Sequence, residues 1–238
     1  MIKNSLRINL IRFKYHLSKL GWHNCTTCAI PSRKLICNDC YDGLEKLAKG
    51  SCIYCKKPCS NGIDVCKTCT KQKPYFDNLY CTLSYSQPTT TILHALKYKV
   101  KTKYAFSLGY LLYQNLVELP VVPDLIIPVP LHKTRLQERG FNQVSLLLNY
   151  YIAVDNKIPV ISKIVSRTKP TPHQTLVNNT VRKNNLIDAF KLHKNIAGLH
   201  IIVIDDVVTT GTTVNALAKL LKDNGAKQVD VCCLMRAI

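Results

Sequence analysis

Carboxylates are scarce in this chain: among 238 residues only 14 are Asp or Glu, against 33 Lys and Arg, giving a formal charge of +19. That excess is more than solubility requires, so the surface points toward a polyanionic partner, nucleic acid first and an anionic membrane surface second. General lysine enrichment with no site behind it is the bland alternative. Long apolar runs are missing too. No stretch approaches the roughly 18 apolar residues of a membrane-spanning helix, and the N-terminus has no uninterrupted apolar segment ahead of a small-residue cleavage site. The expectation is a chain neither spanning a membrane nor exported. Evenly spread cysteines are also lacking. Ten of the 12 lie between Cys25 and Cys81, and eight of those form C-x-x-C pairs, which is metal spacing in a reducing cytoplasm rather than a disulfide framework.

Hydrophobic residues make up 47% of the chain, enough for one sizeable core plus a smaller module. Residues 1–24 contain SLRINLIRFKYHLSKL, which sets Leu6, Leu10, Phe13, Leu17 and Leu20 on one helical stripe with Arg7, Arg12, Lys14 and Lys19 elsewhere. Such a helix docks on its own domain, lies on an anionic membrane or grips nucleic acid. Residues 25–72 are cysteine-rich and punctuated by Pro, Gly, Ser and Asn. The boundary falls near Gln72 to Phe76, and residues 77–238 form the second domain. There apolar strands at 79–85, 124–130, 159–167, 201–207 and 230–237 alternate with helical segments at 89–99, 103–117, 141–152 and 212–224. That order predicts an α/β fold with a parallel sheet covered on both faces.

In the first module, Cys25/Cys28, Cys37/Cys40, Cys52/Cys55 and Cys66/Cys69 each resemble a zinc knuckle, because two intervening residues let both sulfurs reach one ion. The simplest grouping is Cys25, Cys28, Cys37 and Cys40 around one Zn2+ and Cys52, Cys55, Cys66 and Cys69 around a second; an interleaved grouping stays open. Closed four-thiolate sites are structural. Cys59 and Cys81 are spare thiols, and Cys232 and Cys233 behave as small hydrophobes in the last strand.

In the second domain, IIVIDDVVTTGTT (201–213) carries Asp205 and Asp206 to the end of a buried strand. Adjacent carboxylates there suit the two hydroxyls of a ribose diol. Thr209, Thr210, Gly211, Thr212 and Thr213 lead into a helix, so hydroxyls, free amides and the positive helix end can surround a phosphate. Without a ligand this would be an ordinary strand and a capped helix, with two costly carboxylates. After the strand at 124–130 comes a basic loop with Pro130, Leu131, His132, Lys133, Arg135, Arg139 and Gly140, at the carboxyl ends of the sheet where a pyrophosphate would bind.

The 201–213 stretch resembles the signature of the type I phosphoribosyltransferases, which implies a Mg2+-assisted site for phosphoribosyl pyrophosphate (PRPP). Thr209 stands where some purine-salvage members carry an aspartate that accepts a proton, so no catalytic base is assigned. Taken with the knuckles, HALKYK (94–99), PVPL (128–131), RGFNQ (139–143), Gln174, Arg182, Asn185 and Ala189-Phe190, the order of motifs resembles the ComF competence family over residues 25–238. Two small departures are Thr212, where a small residue is common, and a longer basic N-terminal extension. That resemblance implies a double zinc ribbon ahead of an amidophosphoribosyltransferase-like domain. It also implies a role in natural transformation, handling single-stranded DNA in the cytoplasm, near or peripheral to a membrane-associated DNA translocation machine. Lys97, Tyr98, Lys99, Lys101 and Lys103 interleave cations with an aromatic, a composition for phosphates and stacked bases, or else a solvated helix end. Arg167, Lys169, Gln174 and Arg182 fall where a phosphoribosyltransferase has its flap, which closes over pyrophosphate or touches DNA. Three functions remain: single-strand handling with PRPP as ligand, phosphoribosyl transfer to a base or amine, and a PRPP-sensing regulator.

Overall fold

The computed structural model describes residues 23–59, 64–99, 104–169 and 188–238. The expectations for the N-terminal helix and for Lys101, Lys103, Gln174 and Arg182 lie outside the described residues.

In the cysteine-rich part, β1 (His23–Asn24) and β2 (Pro31–Ser32) pair antiparallel, and two short helices follow, α1 (Asn38–Asp42) and α2 (Lys67–Lys71). The rest runs β3 (Leu79–Tyr80), β4 (Leu83–Ser84), α3 (Thr89–Tyr98), α4 (Ala105–Val117), β5 (Leu125–Pro128), α5 (Lys133–Arg139), α6 (Gln143–Val154), β6 (Val165–Arg167), β7 (Phe190–Leu192), β8 (His200–Val208), α7 (Thr212–Asp223) and β9 (Gln228–Arg236). The central sheet is parallel in the order β3-β9-β8-β5, with β4 also on β9.

Both faces of that sheet are covered, which is why its strands read as unbroken apolar runs. Ile126, Ile202, Ile204, Cys232 and Leu234 face one core with Leu108 and Leu112 of α4 and Leu147 and Leu148 of α6. Their alternating neighbours Leu125, Ile127, Ile201, Val203, Val231 and Cys233 face the other, against Val214, Leu217, Ala218 and Leu221 of α7. Gly109 lets α4 approach α6 closely: a Cβ there would stand 2.6 Å from the Leu147 carbonyl oxygen.

Two strands expected as single units are divided. The 79–85 run breaks into β3 and β4 because the outer edge is taken by the cysteine module: Leu47 N donates to Thr82 O at 2.8 Å and Ser84 N to Glu45 O at 2.9 Å. The 159–167 run touches the sheet at Val160 beside Ile126, then turns away so that β6 pairs antiparallel with β7. The basic loop before residue 141 is also largely helical. His132 caps α5, its Nδ1 accepting from Thr134 N at 3.3 Å, and Gly140 ends it in the left-handed conformation at φ 76°.

Candidate ligand and metal sites

The eight knuckle cysteines gather as Cys25, Cys28, Cys37 and Cys40 in one cluster and Cys52, Cys55, Cys66 and Cys69 in another, with the sulfurs of each cluster all within 4.8 Å of one another. The interleaved grouping is not the one observed. Sulfurs on a tetrahedral ion at about 2.3 Å stand about 3.8 Å apart; Cys28 and Cys37 are 3.8 Å apart and Cys55 and Cys66 3.6 Å. Backbone amides support the clusters, as where Cys37 N donates to Cys25 Sγ at 3.3 Å. Burial pushes the Cys25 and Cys52 thiols up, yet the amides of neighbouring residues outweigh it and bring each down to about 6. Burial and the adjacent thiols hold Cys40 and Cys69 up. Each cluster thus sets a thiol brought low beside one held high, and its four close sulfurs are a donor set that fits Zn2+. Cys59 and Cys81 stand outside both clusters, and Cys232 and Cys233 are fully buried.

At the sheet's carboxyl end, β8 delivers Asp205, half-buried, and Asp206, 4% exposed. The Asp206 amide donates to Asp205 Oδ1 at 2.9 Å, and the two carboxyl groups are near enough to act on each other. Lys97 of α3 forms an ion pair with Asp206. Expected among the nucleic-acid contacts, Lys97 is instead turned into this pocket, with a side chain only 17% exposed. Burial and the Asp206 charge hold the Asp205 carboxyl well above the usual carboxylate range. Burial also pushes Asp206 up, but the Lys97 ammonium outweighs it and leaves Asp206 low.

Further cations face the same carboxylates. Arg139, at the end of α5, and Arg167, on β6, are partly buried; desolvation lowers both, while Asp206 holds Arg139 charged and Asp205 does the same for Arg167. Arg135 is near enough to act on both guanidinium groups. A parallel bridge between His132 and Arg167 sets the Pro130–His132 turn beside β6. Pro130 is buried, Leu131 is partly so, and Lys133 is exposed. Asn142 fixes the far end: its Oδ1 caps α6 through Val144 N at 2.9 Å, and its Nδ2 donates to Val129 O at 2.9 Å.

The Thr209–Thr213 loop joins β8 to α7. Gly211 adopts φ 80°, which an L side chain would strain, and is the N-cap of α7 without offering a side chain to the helix amides. Thr210 Oγ1 and Thr212 Oγ1 lie 2.7 Å apart, with Thr209 and Thr213 partly buried on either side. Paired carboxylates, surplus cations and an open helix N-terminus can together accept a diol and hold two anionic groups.

A family model described as the phosphoribosyl transferase domain matches residues 141–238. DNA utilization protein YhgH of Salmonella typhi is 33% identical over 226 residues, covering 90% of this chain and 97% of that protein. Competence protein F of Haemophilus influenzae is 30% identical over 222 residues, covering 84% and 96%. The chain belongs to the ComF family. Competence protein ComFC of Bacillus subtilis is a more distant relative of this ComF-family chain, 26% identical over 216 residues and covering 85% of it and 84% of ComFC.

The HALKYK segment of this ComF chain splits its roles within one helix end. Lys97 faces Asp206, whereas Tyr98 is 61% exposed and Lys99 is exposed. The Arg139 guanidinium lies 5.5 Å from the Tyr98 ring centroid. His94 stands 5.3 Å from the same ring and shares a 3.2 Å hydrogen bond with the Tyr85 hydroxyl. Lys169, expected to belong to a flap, is exposed. Arg236 was not foreseen: its partners Cys55, Val208 and Thr209 are remote from it in the sequence, and no local pattern marks it.

Proposed function

We propose that this chain binds PRPP with Mg2+ at Asp205 and Asp206 and handles single-stranded DNA in the cytoplasm, beside the machine that brings DNA across the membrane. The observation that carries the ligand assignment is the carboxylate pair enclosed by Lys97, Arg139 and Arg167 next to the open N-terminus of α7. The carboxylates accept the ribose hydroxyls, and the 209–213 amides and hydroxyls hold the 5′-phosphate. His132, Lys133, Arg135, Arg139 and Gly140, with Arg167 and Lys169 from the flap side, surround the diphosphate. Bound Mg2+ would neutralise diphosphate charge. As the ribose engages Asp206, Lys97 is freed to serve the diphosphate.

The DNA assignment rests on the charge of +19 and on the exposed Tyr98 and Lys99 beside the pocket. The relatives named for competence and DNA utilization support it. A second reading, PRPP as a regulator of DNA affinity, is favoured by one fact: adjacent residues of α3 face the pocket and the solvent. Phosphoribosyl transfer is less favoured, because Thr209 leaves the loop without a proton-accepting carboxylate.

Fluorescence anisotropy of labelled single-stranded DNA tests these readings. Three or four phosphate contacts give roughly a 20- to 50-fold loss of affinity between 50 and 200 mM salt. Tyr98→Ala costs roughly tenfold at fixed salt if a base stacks there. Absence of binding at low ionic strength would remove the DNA reading, and a DNA affinity indifferent to saturating PRPP and Mg2+ would remove the regulator.

A further inference from the structure

Arg236 closes β9, and its side chain is 1% exposed, the largest among the most deeply buried. Among the described residues no carboxylate pairs with it; its guanidinium is held by carbonyl oxygens. Nε donates to Cys55 O at 2.8 Å, and Nη1 donates to Val208 O at 2.8 Å and to the carbonyls of Thr209 and Ala237. Burying a charge with only carbonyl partners is costly, and an apolar residue would serve a plain strand end better. The groups it joins explain its presence. Cys55 belongs to the second four-cysteine cluster, while Val208 and Thr209 are where β8 becomes the phosphate loop.

Beside this link lies a cavity of about 670 Å³, lined by residues of both the cysteine module and the loop, Cys55, Cys69, Thr210, Gly211 and Arg236 among them. Among the described residues, the hydrogen bonds running from residues 52–69 to the loop go through this one guanidinium. The Cys55 carbonyl is oriented by its own knuckle, in which Lys56 N donates to Cys52 O at 2.9 Å and Cys52 N to Lys57 O at 2.7 Å. A metal ion on Cys52 and Cys55 fixes that turn; without it, the turn and the carbonyl lose their fixed direction.

We propose that Arg236 is a positioning residue that couples metal occupancy of the second cluster to the geometry, and hence the ligand affinity, of the phosphate loop. The proposal rests on the 209–213 loop binding a sugar phosphate. Coupling of this kind is reciprocal: if the metal tightens the loop's hold on ligand, ligand must tighten the cluster's hold on metal by the same factor. Among the described residues the first cluster has no such link to the loop, and it is the internal control.

The test uses the full zinc-loaded chain, a chromophoric chelator and ribose 5-phosphate as probe. Zinc binding constants are read by competition with and without saturating probe, on the parent, Arg236→Gln and Arg236→Lys. Coupling of ordinary size is about 5- to 150-fold, and a link through one side chain belongs at the low end. In the parent, the second cluster should hold zinc about five- to tenfold more tightly with the probe and the first cluster should be unchanged. In both variants that difference should vanish. Arg236→Lys keeps a cation for the loop carbonyls but lacks the planar fork that reaches Cys55 as well, so it preserves the fold while cutting the link. Equal tightening in parent and Arg236→Lys would overturn the proposal, as would no tightening in a parent that binds the probe. Failure of the parent to bind ribose 5-phosphate would instead overturn the ligand reading, and this coupling with it.

Discussion

Asp205→Asn should raise the melting temperature of the ligand-free protein, while Asp206→Asn should lower it by a much larger amount. The two residues are neighbours of identical type, and their environments push them in opposite directions. Burial and the Asp206 charge hold the Asp205 carboxyl up, so Asp205 opposes folding once the pH exceeds its unfolded value, and the cost grows until its folded value is reached. The amide removes that cost; relief of about 1 kcal/mol gives a rise of about 2–4 °C. Asp206 has the reverse sign. Lys97 holds it below its unfolded value despite burial, so its stabilisation is fully present above the unfolded value and is lost as the pH falls through the folded one. Asp206→Asn forfeits it and leaves the Lys97 ammonium largely buried without its partner. Breaking a buried pair costs about 3–5 kcal/mol, a drop of roughly 6–20 °C. Calorimetric melts at neutral pH distinguish the two. Equal shifts in one direction would mean that Lys97 does not favour one carboxylate.

Removing the metal should have the largest effect on the folded chain. Atomic emission should find two zinc ions per chain, and stripping both should unfold residues 25–69. Apparent zinc binding in small thiolate modules is worth about 10–16 kcal/mol per site, comparable to the whole stability of an ordinary domain, about 5–15 kcal/mol. The damage should spread. Cys25, Ile36 and Leu44 belong to the same core as Leu83 and Leu112, and residues 45–47 cover the outer edge of β4. Losing them exposes an apolar face and a strand edge, so the stripped protein should aggregate. Limited proteolysis and light scattering with a strong chelator check this. Cys52→Ser should lose the second zinc ion and keep the first, whereas Cys59→Ser should keep both and change stability by no more than about 0.5 kcal/mol, because Cys59 lies outside the clusters. A Cys59→Ser variant that loses zinc would contradict the grouping.

The α/β class, the parallel sheet and the four knuckles were legible because each leaves a local mark: unbroken apolar runs, helical periodicity and C-x-x-C spacing. Although α5, which Gly140 closes, reads in the sequence as a loop, the helix beginning just after it near residue 141 was legible too. Three features were not, and all depend on residues distant in the chain. Lys97 reads as one of several surface lysines until Asp206, more than a hundred residues later, is folded against it. Arg236 gains meaning only from Cys55 and Val208, on two other parts of the fold. The break between β3 and β4 follows from residues 45–47 taking the outer edge, which no alternation within 79–85 encodes.

Asp205, Asp206 and the 209–213 loop form, we propose, a sugar-phosphate site. Calorimetric titration of PRPP and Mg2+ into the zinc-loaded chain and its Asp205→Asn/Asp206→Asn variant tests it most directly. Each charge-assisted hydrogen bond to a hydroxyl is worth about 1.5–3 kcal/mol, so losing two weakens binding by more than about 100-fold. Saturable one-to-one binding to the parent with a loss of at least that size in the variant is the result expected. Equal affinity in the two proteins, or no binding to the parent, would contradict the account.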